Sequence, residues 1–443
     1  MGDFLHYNLS MNYNILDFGA SVDNLDNAIY IQKAIDEASL YNGRVIIPTG
    51  LFLSSTIFLK SNVELHLEKG AVLKAVDDIS AFNINKKKVD DNLATPSYVN
   101  CDYDGKPELY FICGFSLSNV AITGDGIIDG NESIFYGYQD KYFIDGAFYP
   151  RMPLLYLEDV DRFKSNNITL IHSAFWTCHL VGCRNGIINN LKIYNNLKLA
   201  NCDGIDPDHC HDICISNCHI ECADDAIVFK NTKANMKYGD CYNITVNNCY
   251  LKTTSGAIKF GTESYNDFYS IKVNNIEVVD SNRGITLQLR DIGNIYNCLF
   301  ENINMTTRVF AKPYFWGYGE PICITALDRS HEIKAGTIHD LIFKNITADC
   351  ENGILIYGEN ITSINNIKFK DIKLTMHNKS KWPKDKKDLR PYDKMPFVSS
   401  LSNALYIRKA ANVTFNNFRY EIDPSLNVDK EIDIKNIENI VVD

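Results

Sequence analysis

The chemistry of this chain is most legible in three aspartates. Four short stretches superimpose without gaps: Asn201-Cys-Asp203-Gly-Ile205, Ala223-Asp224-Asp225-Ala-Ile227, Ser255-Gly256-Ala-Ile258 and Asn282-Arg283-Gly-Ile285. If they are neighbouring strands, Ile205, Ile227, Ile258 and Ile285 form one inward column. Asp203, Asp225, Gly256 and Arg283 form the column beside it. Adjacent parallel strands lie ~4.8 Å apart, so Asp203 and Asp225 become near neighbours despite 22 residues of intervening numbering, with Asp224 beside them. Three carboxylates that close cannot all ionise without cost, so at least one should hold a proton near neutrality. Glycoside hydrolysis needs that division: one protonated acid for the leaving oxygen and one carboxylate to activate water. Solvated turn aspartates and a calcium site fit the same residues. The clustering of perturbed acids at active sites favours catalysis.

Basic and aromatic residues fall near this cluster. Lys259 shares a column with Asp206 and Thr286, and Arg283 lies in the acid column. Thr286, Gln288 and Arg290 alternate on one face, opposite Leu287 and Leu289. Lys259, Arg283 and Arg290 are suited to bind a uronate carboxylate, Arg best through its bidentate fork. The plainer alternative pairs Arg283 and Arg290 with Glu263 and Asp291. The run Phe315-Trp316-Gly-Tyr-Gly-Glu320-Pro321 offers a sugar-stacking ring and a hydroxyl acceptor, or a Trp packed over the flank. Asp328, Arg329 and His331 would extend that wall. Asn201 and Gln288 complete the expected substrate-binding set of Asn201, Lys259, Arg283, Gln288, Arg290, Trp316 and Glu320.

Such residues need a scaffold that stacks short strands. A loose phrase, apolar-x-apolar-x-Asn, recurs as Ile213-Cys-Ile-Ser-Asn217, Ile244-Thr-Val-Asn-Asn248, Ile271-Lys-Val-Asn-Asn275, Leu341-Ile-Phe-Lys-Asn345 and Val413-Thr-Phe-Asn-Asn417. Ile213 to Ile244 is 31 residues and Ile244 to Ile271 is 27. Alternation within each phrase reads as β-strand, and the short polar breaks leave no room for helices between strands. Each unit buries its apolar face only by stacking on the next, as in a solenoid. Propellers and sandwiches would show four-strand blades or uniform 8–12-residue spacing. The expected fold is all-β: one right-handed parallel β-helix over residues 1–443. A helix at about 26–40, capped by Asp26 and burying Ala28, Ile31, Ala34, Ile35 and Ala38, closes its first coil. Three stretches break the rhythm, at about 84–110, 131–152 and 377–400, and read as loops walling a cleft.

Composition narrows the partners. The net charge of −11 is interspersed, which argues against a nucleic-acid partner. No run approaches the ~18–20 apolar residues of a membrane span. The start MGDFLHYNLSMNYNILDFGA lacks the marks of a signal peptide, so the expected location is cytoplasmic. Removal of a signal would leave the same start, and the protein would then be secreted or periplasmic. Oligomeric state is not legible. The chain has 14 cysteines, and Cys210, Cys214, Cys218 and Cys222 recur every fourth residue near His209, His211 and His219. The paired CxxC spacing of structural zinc is absent, so buried apolar filler is the favoured reading and no metal is assigned.

Asn201-Cys-Asp203-Gly204 and Asp224-Asp225 resemble the Asn-x-Asp and Asp-Asp motifs of the family 28 glycoside hydrolases, the polygalacturonases and their relatives. The likeness runs from Asp17-Phe-Gly-Ala20 through Leu65-His-Leu-Glu-Lys-Gly-Ala71, Gly126-Ile-Ile-Asp-Gly130 and Phe175-Trp176 to the catalytic coils. It implies a right-handed β-helix that hydrolyses pectic polymers with inversion and without a cofactor. It also implies Asp225 as general acid, with Asp203 and Asp224 activating water. Two family motifs are missing. Ser255-Gly256-Ala257 replaces Gly-His-Gly, and Thr286-Leu287-Gln288 replaces the Arg-Ile-Lys that grips galacturonate. The expected activity is inverting, exo-acting hydrolysis of pectin-type oligosaccharides containing uronate or rhamnose. The rival expectations are a β-helical polysaccharide lyase and a non-catalytic carbohydrate-binding β-helix.

Overall fold

The computed structural model describes residues 11–82, 109–146, 151–311 and 314–443. Short strands stack into one parallel ladder running from Asn12–Asn14 to Ile432–Val442. One coil shows the plan. Ile205–Asp208, His211–Ser216 and His219–Cys222 lie on three faces, and each pairs in parallel with the strand one turn later. Successive parallel strands joined by crossovers wind right-handed, because twisted strands pack back on the sheet only that way. The architecture is the right-handed parallel β-helix that the repeat implies.

The repeated phrase has a physical cause at each position. Its apolar residues point inward and stack on their counterparts: Ile213 pairs with Ile244, and Leu341 with Ile367, which in turn pairs with Val413. Inside, Phe300, Phe343, Phe369 and Phe415 form a column of stacked rings with centroids 4.7, 4.8 and 4.3 Å apart. The closing Asn turns the chain. Asn217, Asn248, Asn275, Asn302 and Asn345 all sit at positive φ, a conformation Asn tolerates better than most residues. Their amides bond along the axis, as in Asn248 Nδ2 to Asn217 Oδ1 at 2.6 Å and Asn345 Nδ2 to Asn302 Oδ1 at 2.8 Å.

The first coil is covered by α1 (Ala28–Ala38), which buries Ile31, Ala34, Ile35 and Ala38. Asn27, rather than Asp26, occupies the N-cap position, and Ala28 is only half-buried. Asp26 still accepts the Ala28 N–H at 2.9 Å, and it also binds the Ser55 N–H and hydroxyl. It therefore fastens the helix to the first coil. Arg44–Ile47 and Val63–Leu67 are early strands paired with each other.

Of the three rhythm-breaking stretches, nearly all of 84–110 lies outside the described residues. Within 131–152, Tyr136–Gln139 and Ile144–Gly146 form an antiparallel pair. Within 377–400, Lys386–Asp388 pairs antiparallel with Phe397–Ser399. The cysteine run behaves as filler: Cys210, Cys218 and Cys222 are buried, Cys214 faces outward, and the Cys210 thiol points to the Leu180 carbonyl. His209 is occupied by the carbonyls of Gly239 and Thr232. No described residue supports zinc there.

Candidate active site

Five consecutive strands carry the site: β1 (Ile205–Asp208), β2 (Ile227–Asn231), β3 (Gly256–Ser264), β4 (Arg283–Leu289) and β5 (Ile322–Ala326). Their register is the one the four aligned stretches imply. Ile205 pairs with Ile227, Ile227 with Ile258, Ile258 with Ile285, and Gly256 with Arg283. All four isoleucines are fully buried. Close stacking needs small residues at the strand entry: a Cβ on Gly204 would lie 2.3 Å from the Ala226 carbonyl oxygen. The turn entering β1 is held by Asn201, which adopts φ 59°.

Asp203, Asp224 and Asp225 present carboxylate oxygens within 4.8 Å of one another. Their surroundings differ. Asp225 Oδ1 accepts from the Ser255 hydroxyl at 2.8 Å and the Gly256 N–H at 3.1 Å, while Oδ2 accepts from Lys259 Nζ at 2.6 Å. Asp224 is half-buried at the cleft surface, and its Oδ2 accepts the Asn201 N–H at 3.1 Å. Burial, then the negative charge of Asp225, raises its pKa. Asp203 is buried, with Oδ1 lacking any hydrogen-bond partner. Burial, then repulsion from Asp206 and Asp224, holds its carboxyl well above the usual range. Asp206, one step along the chain face, is pushed up to about 7, chiefly by burial. Burial and mutual repulsion thus favour the protonated forms of Asp203, Asp206 and Asp224, as close packing of acids requires.

Lys230 lies beneath the cluster and escaped the sequence reading. Its Nζ is 3.5 Å from both Asp203 Oδ2 and Asp206 Oδ1, and 4.0 Å from the Trp176 ring centroid. Alternation along β2 was a usable signal, since Ile227 and Phe229 point inward and Val228 and Lys230 outward. Arg151 was also missed. Its Nη2 donates to Asn201 Oδ1 at 2.6 Å and so aims Asn201 at Asp224.

Above the acids lies a cleft of about 330 Å³, lined by Asn201, Asp224, Asp225, Lys259, Thr286, Gln288, Trp316 and Arg390, among others. Trp316 is half-buried and lines the cleft, as the stacking-ring expectation required. Arg390 comes from the 377–400 stretch, and its guanidinium sits 5.3 Å from the Trp316 ring centroid. No repeat signal marks it, because that stretch stands outside the coil pattern.

Several expected contacts take another form. Lys259 pairs with Asp225, so its ammonium is already engaged by a carboxylate of the cluster. Arg283 lines the cleft but donates Nε to Glu320 at 3.0 Å and Nη2 to the Asp388 carbonyl at 2.7 Å. Glu320 is fully buried, held by Arg283 and the Tyr318 N–H, and cannot accept a sugar hydroxyl from the cleft. Arg290 is also fully buried. It donates to the carbonyls of Leu289, Thr325 and Leu389, and burial with repulsion from Arg329 lowers it to about 9. It is a strut under the 377–400 stretch. Arg329, not Arg290, binds Asp291 at 2.6 Å, and Asp328 is held by Lys334 and Lys394. Neither they nor the exposed His331 line the cleft.

The outward column through this site runs Tyr156, His179, Asp206, Val228, Lys259, Thr286, Cys323, Leu355 and Tyr406. Of that column, Lys259 and Thr286 line the pocket. Toward the N-terminal coils, Tyr110, Cys113, Tyr156 and Val181 pack together under Tyr238. Toward the C-terminal coils, Leu389 and Tyr392 pack with Cys323, Leu355, Tyr357 and Tyr406. Among the described residues, apolar clusters therefore flank the pocket on both sides along the axis.

Fold and site define a class: a parallel β-helix with an acidic cluster on the floor of a sugar-sized pocket. The chain belongs to the glycosyl hydrolases family 28, whose sequence profile matches residues 92–387. It is similar to a probable polygalacturonase of Vitis vinifera, 32% identical over 49% of this chain and 44% of the relative, so it spans under half of that protein's length. It is also similar to an endo-polygalacturonase of Pectobacterium carotovorum subsp. carotovorum, 25% identical over 78% of this chain and 83% of the relative. In fold it resembles the family 28 exopolygalacturonase of Yersinia enterocolitica, with a TM-score of 0.71 at 17% identity over 97% of this chain and 78% of that one.

Proposed function

We propose that the protein is an exo-acting, inverting glycoside hydrolase that removes a terminal sugar from pectin-type oligosaccharides containing uronate or rhamnose. One observation carries this reading: Asp224 and Asp225, with unequal surroundings, line a pocket of about 330 Å³ with an Asp203 oxygen within 4.8 Å, and among the described residues apolar clusters cover the coils on either side. A polymer threading past the acids would need an open groove, whereas a chain end fits a pocket. The relatives named as polygalacturonases support a pectic substrate.

The surroundings favour a division of labour that differs from the one implied by family resemblance. Asp225 has donors on both oxygens, including an ammonium, which suits a proton acceptor better than a donor. Asp224 faces the cleft with a raised pKa and suits the general acid. In the proposed step, water attacks the anomeric carbon as the glycosidic C–O bond breaks. Asp224 gives its proton to the leaving oxygen, and Asp225 takes one from water. Asp203 flanks that water.

The closest oxygen spacing, within 4.8 Å, is shorter than the ~6.5–9.5 Å usual between acid and base in inverting enzymes. A retaining route would need a carboxylate free to attack carbon. Asp225 is tied by three donors and Asp203 is buried, so water is the better nucleophile. The test is a time course on pectic oligosaccharides with proton NMR of the first product. One small sugar from the outset, released with inverted anomeric configuration, is expected. Mixed oligomers would sink exo action, a retained anomer would sink inversion, and an unsaturated product absorbing in the ultraviolet would sink hydrolysis.

A further inference from the structure

We propose that the sugar occupying this pocket is neutral, a hexose or deoxyhexose without a carboxylate, and that Thr286 and Gln288 select it. The inference rests on the hydrolase reading above and names the terminal sugar that reading leaves open. It starts from where the positive charges go. Among the described residues that line the pocket, the cations are Lys259, Arg283 and Arg390. Each is matched by a protein carboxylate: Lys259 by Asp225 at 2.6 Å, Arg283 by Glu320 at 3.0 Å and Arg390 by Asp388 at 2.6 Å.

Those partners are themselves buried, with Glu320 at 0% and Asp388 at 1% exposure. A uronate would have to share Arg283 or Arg390 with a buried carboxylate that already balances its charge, and Lys259 with Asp225. Sharing gains less than pairing with an unmatched cation, while the uronate still bears the cost of leaving water. The entering carboxylate would also stand close to Asp224 and Asp225, adding like-charge repulsion.

The pocket also offers uncharged polar groups. Thr286 lines the pocket at 2% exposure, and its hydroxyl has no hydrogen-bond partner. A buried hydroxyl in that state is a standing demand for a partner, and a sugar hydroxyl meets it without bringing charge. Gln288, two residues along β4 on the same face, donates Nε2 to the Arg390 carbonyl at 3.0 Å. That bond leaves the amide anchored beside the pocket as a neutral lining group. Trp316 supplies an apolar ring for a sugar face. The short residues at Ser255 and Gly256 keep the space over Asp225 clear, since a Cβ on Gly256 would lie 3.1 Å from Asp225 Oδ1.

The test has a binding arm and a turnover arm on the intact protein. Intrinsic Trp fluorescence and calorimetry follow titration with rhamnose, galactose and galacturonate. A neutral sugar should bind about tenfold or more tightly than galacturonate, as one buried-charge mismatch implies. Thr286→Val, which removes only the hydroxyl, should weaken the neutral sugar about fivefold. Tighter binding of galacturonate, or no binding of either neutral sugar, would overturn the inference. The turnover arm uses rhamnogalacturonan oligosaccharides trimmed to end in rhamnose or in galacturonate. Release of rhamnose alone supports the proposal, and release of galacturonate overturns it. Selective binding without any turnover would instead leave the pocket assignment standing and defeat the hydrolase reading.

Discussion

The floor of the site and its wall are built by different means. The floor repeats. Asp203 and Asp225 belong to successive coils, and their positions follow from the register Ile205–Ile227–Ile258–Ile285. The wall does not repeat. Arg283, Trp316 and Arg390 come from a strand, a loop and a far insertion. They are joined by bonds across roughly a hundred residues of sequence, such as Arg283 Nη2 to the Asp388 carbonyl and Gln288 Nε2 to the Arg390 carbonyl. Repetition places the acids, while the insertions shape what can reach them. Chemistry and specificity should therefore respond to different substitutions.

The largest effect is expected from Asp224→Asn, which keeps the shape of the floor and removes the proton donor of the proposed step. Turnover should fall about 10²–10⁴-fold with sugar binding retained, read by kcat and by Trp fluorescence. An equal loss of binding would mean that Asp224 serves the wall as well. Next comes the register itself. Gly204→Ala drives a Cβ against the Ala226 carbonyl and should cost about 1–3 kcal/mol in urea unfolding, with activity lost alongside. The wall counterpart, Gly317→Ala, meets only the Arg283 side chain and the strain of φ 110°. It should raise KM before it lowers stability.

The folded protein holds Asp206 at about 7, above the ~3.9 of an unfolded aspartate. Between those values the folded state keeps a proton that the unfolded state has released. The stabilisation is thus complete below pH ~4 and is lost as pH rises toward about 7, at up to ~1.4 kcal/mol per unit. Asp206→Asn should flatten the fall of stability over that window relative to the parent protein, measured by urea melts at several pH values. An unchanged slope would show that Asp206 is not the proton holder. The smallest effect is expected from Arg390→Lys, which keeps a cation beside buried Asp388 and changes the group packed over Trp316. KM should rise by about three- to fivefold, roughly 1 kcal/mol, with kcat near its original value.

Much of the floor was readable from residue order. The Gly/Ala-Ile pairs aligned the coils, and alternation put Lys259 and Thr286 on the outward face, as the pairing of those two residues bears out. Lys230 was readable by the same alternation, yet lysine on an outward face usually means solvent, and only the cover of Trp176 made it part of the site. The wall was less legible. Arg290 and Glu320 looked available for substrate, but both are buried against partners that sequence spacing does not announce. Arg390 had no pattern to mark it.

The sequence by itself determined the β-helix, the inward isoleucine column and the meeting of Asp203, Asp224 and Asp225. Those features depend on a local period, and a period stacks in one register when one face must be buried. Tertiary structure decided the rest: which oxygens of the acids are engaged, which side chains line the pocket above them, and that each described pocket cation is matched to a carboxylate. Such contacts join segments far apart in the chain, where no period relates one residue to another. Only the packing of the inserted loops over the coils brings them within hydrogen-bonding distance.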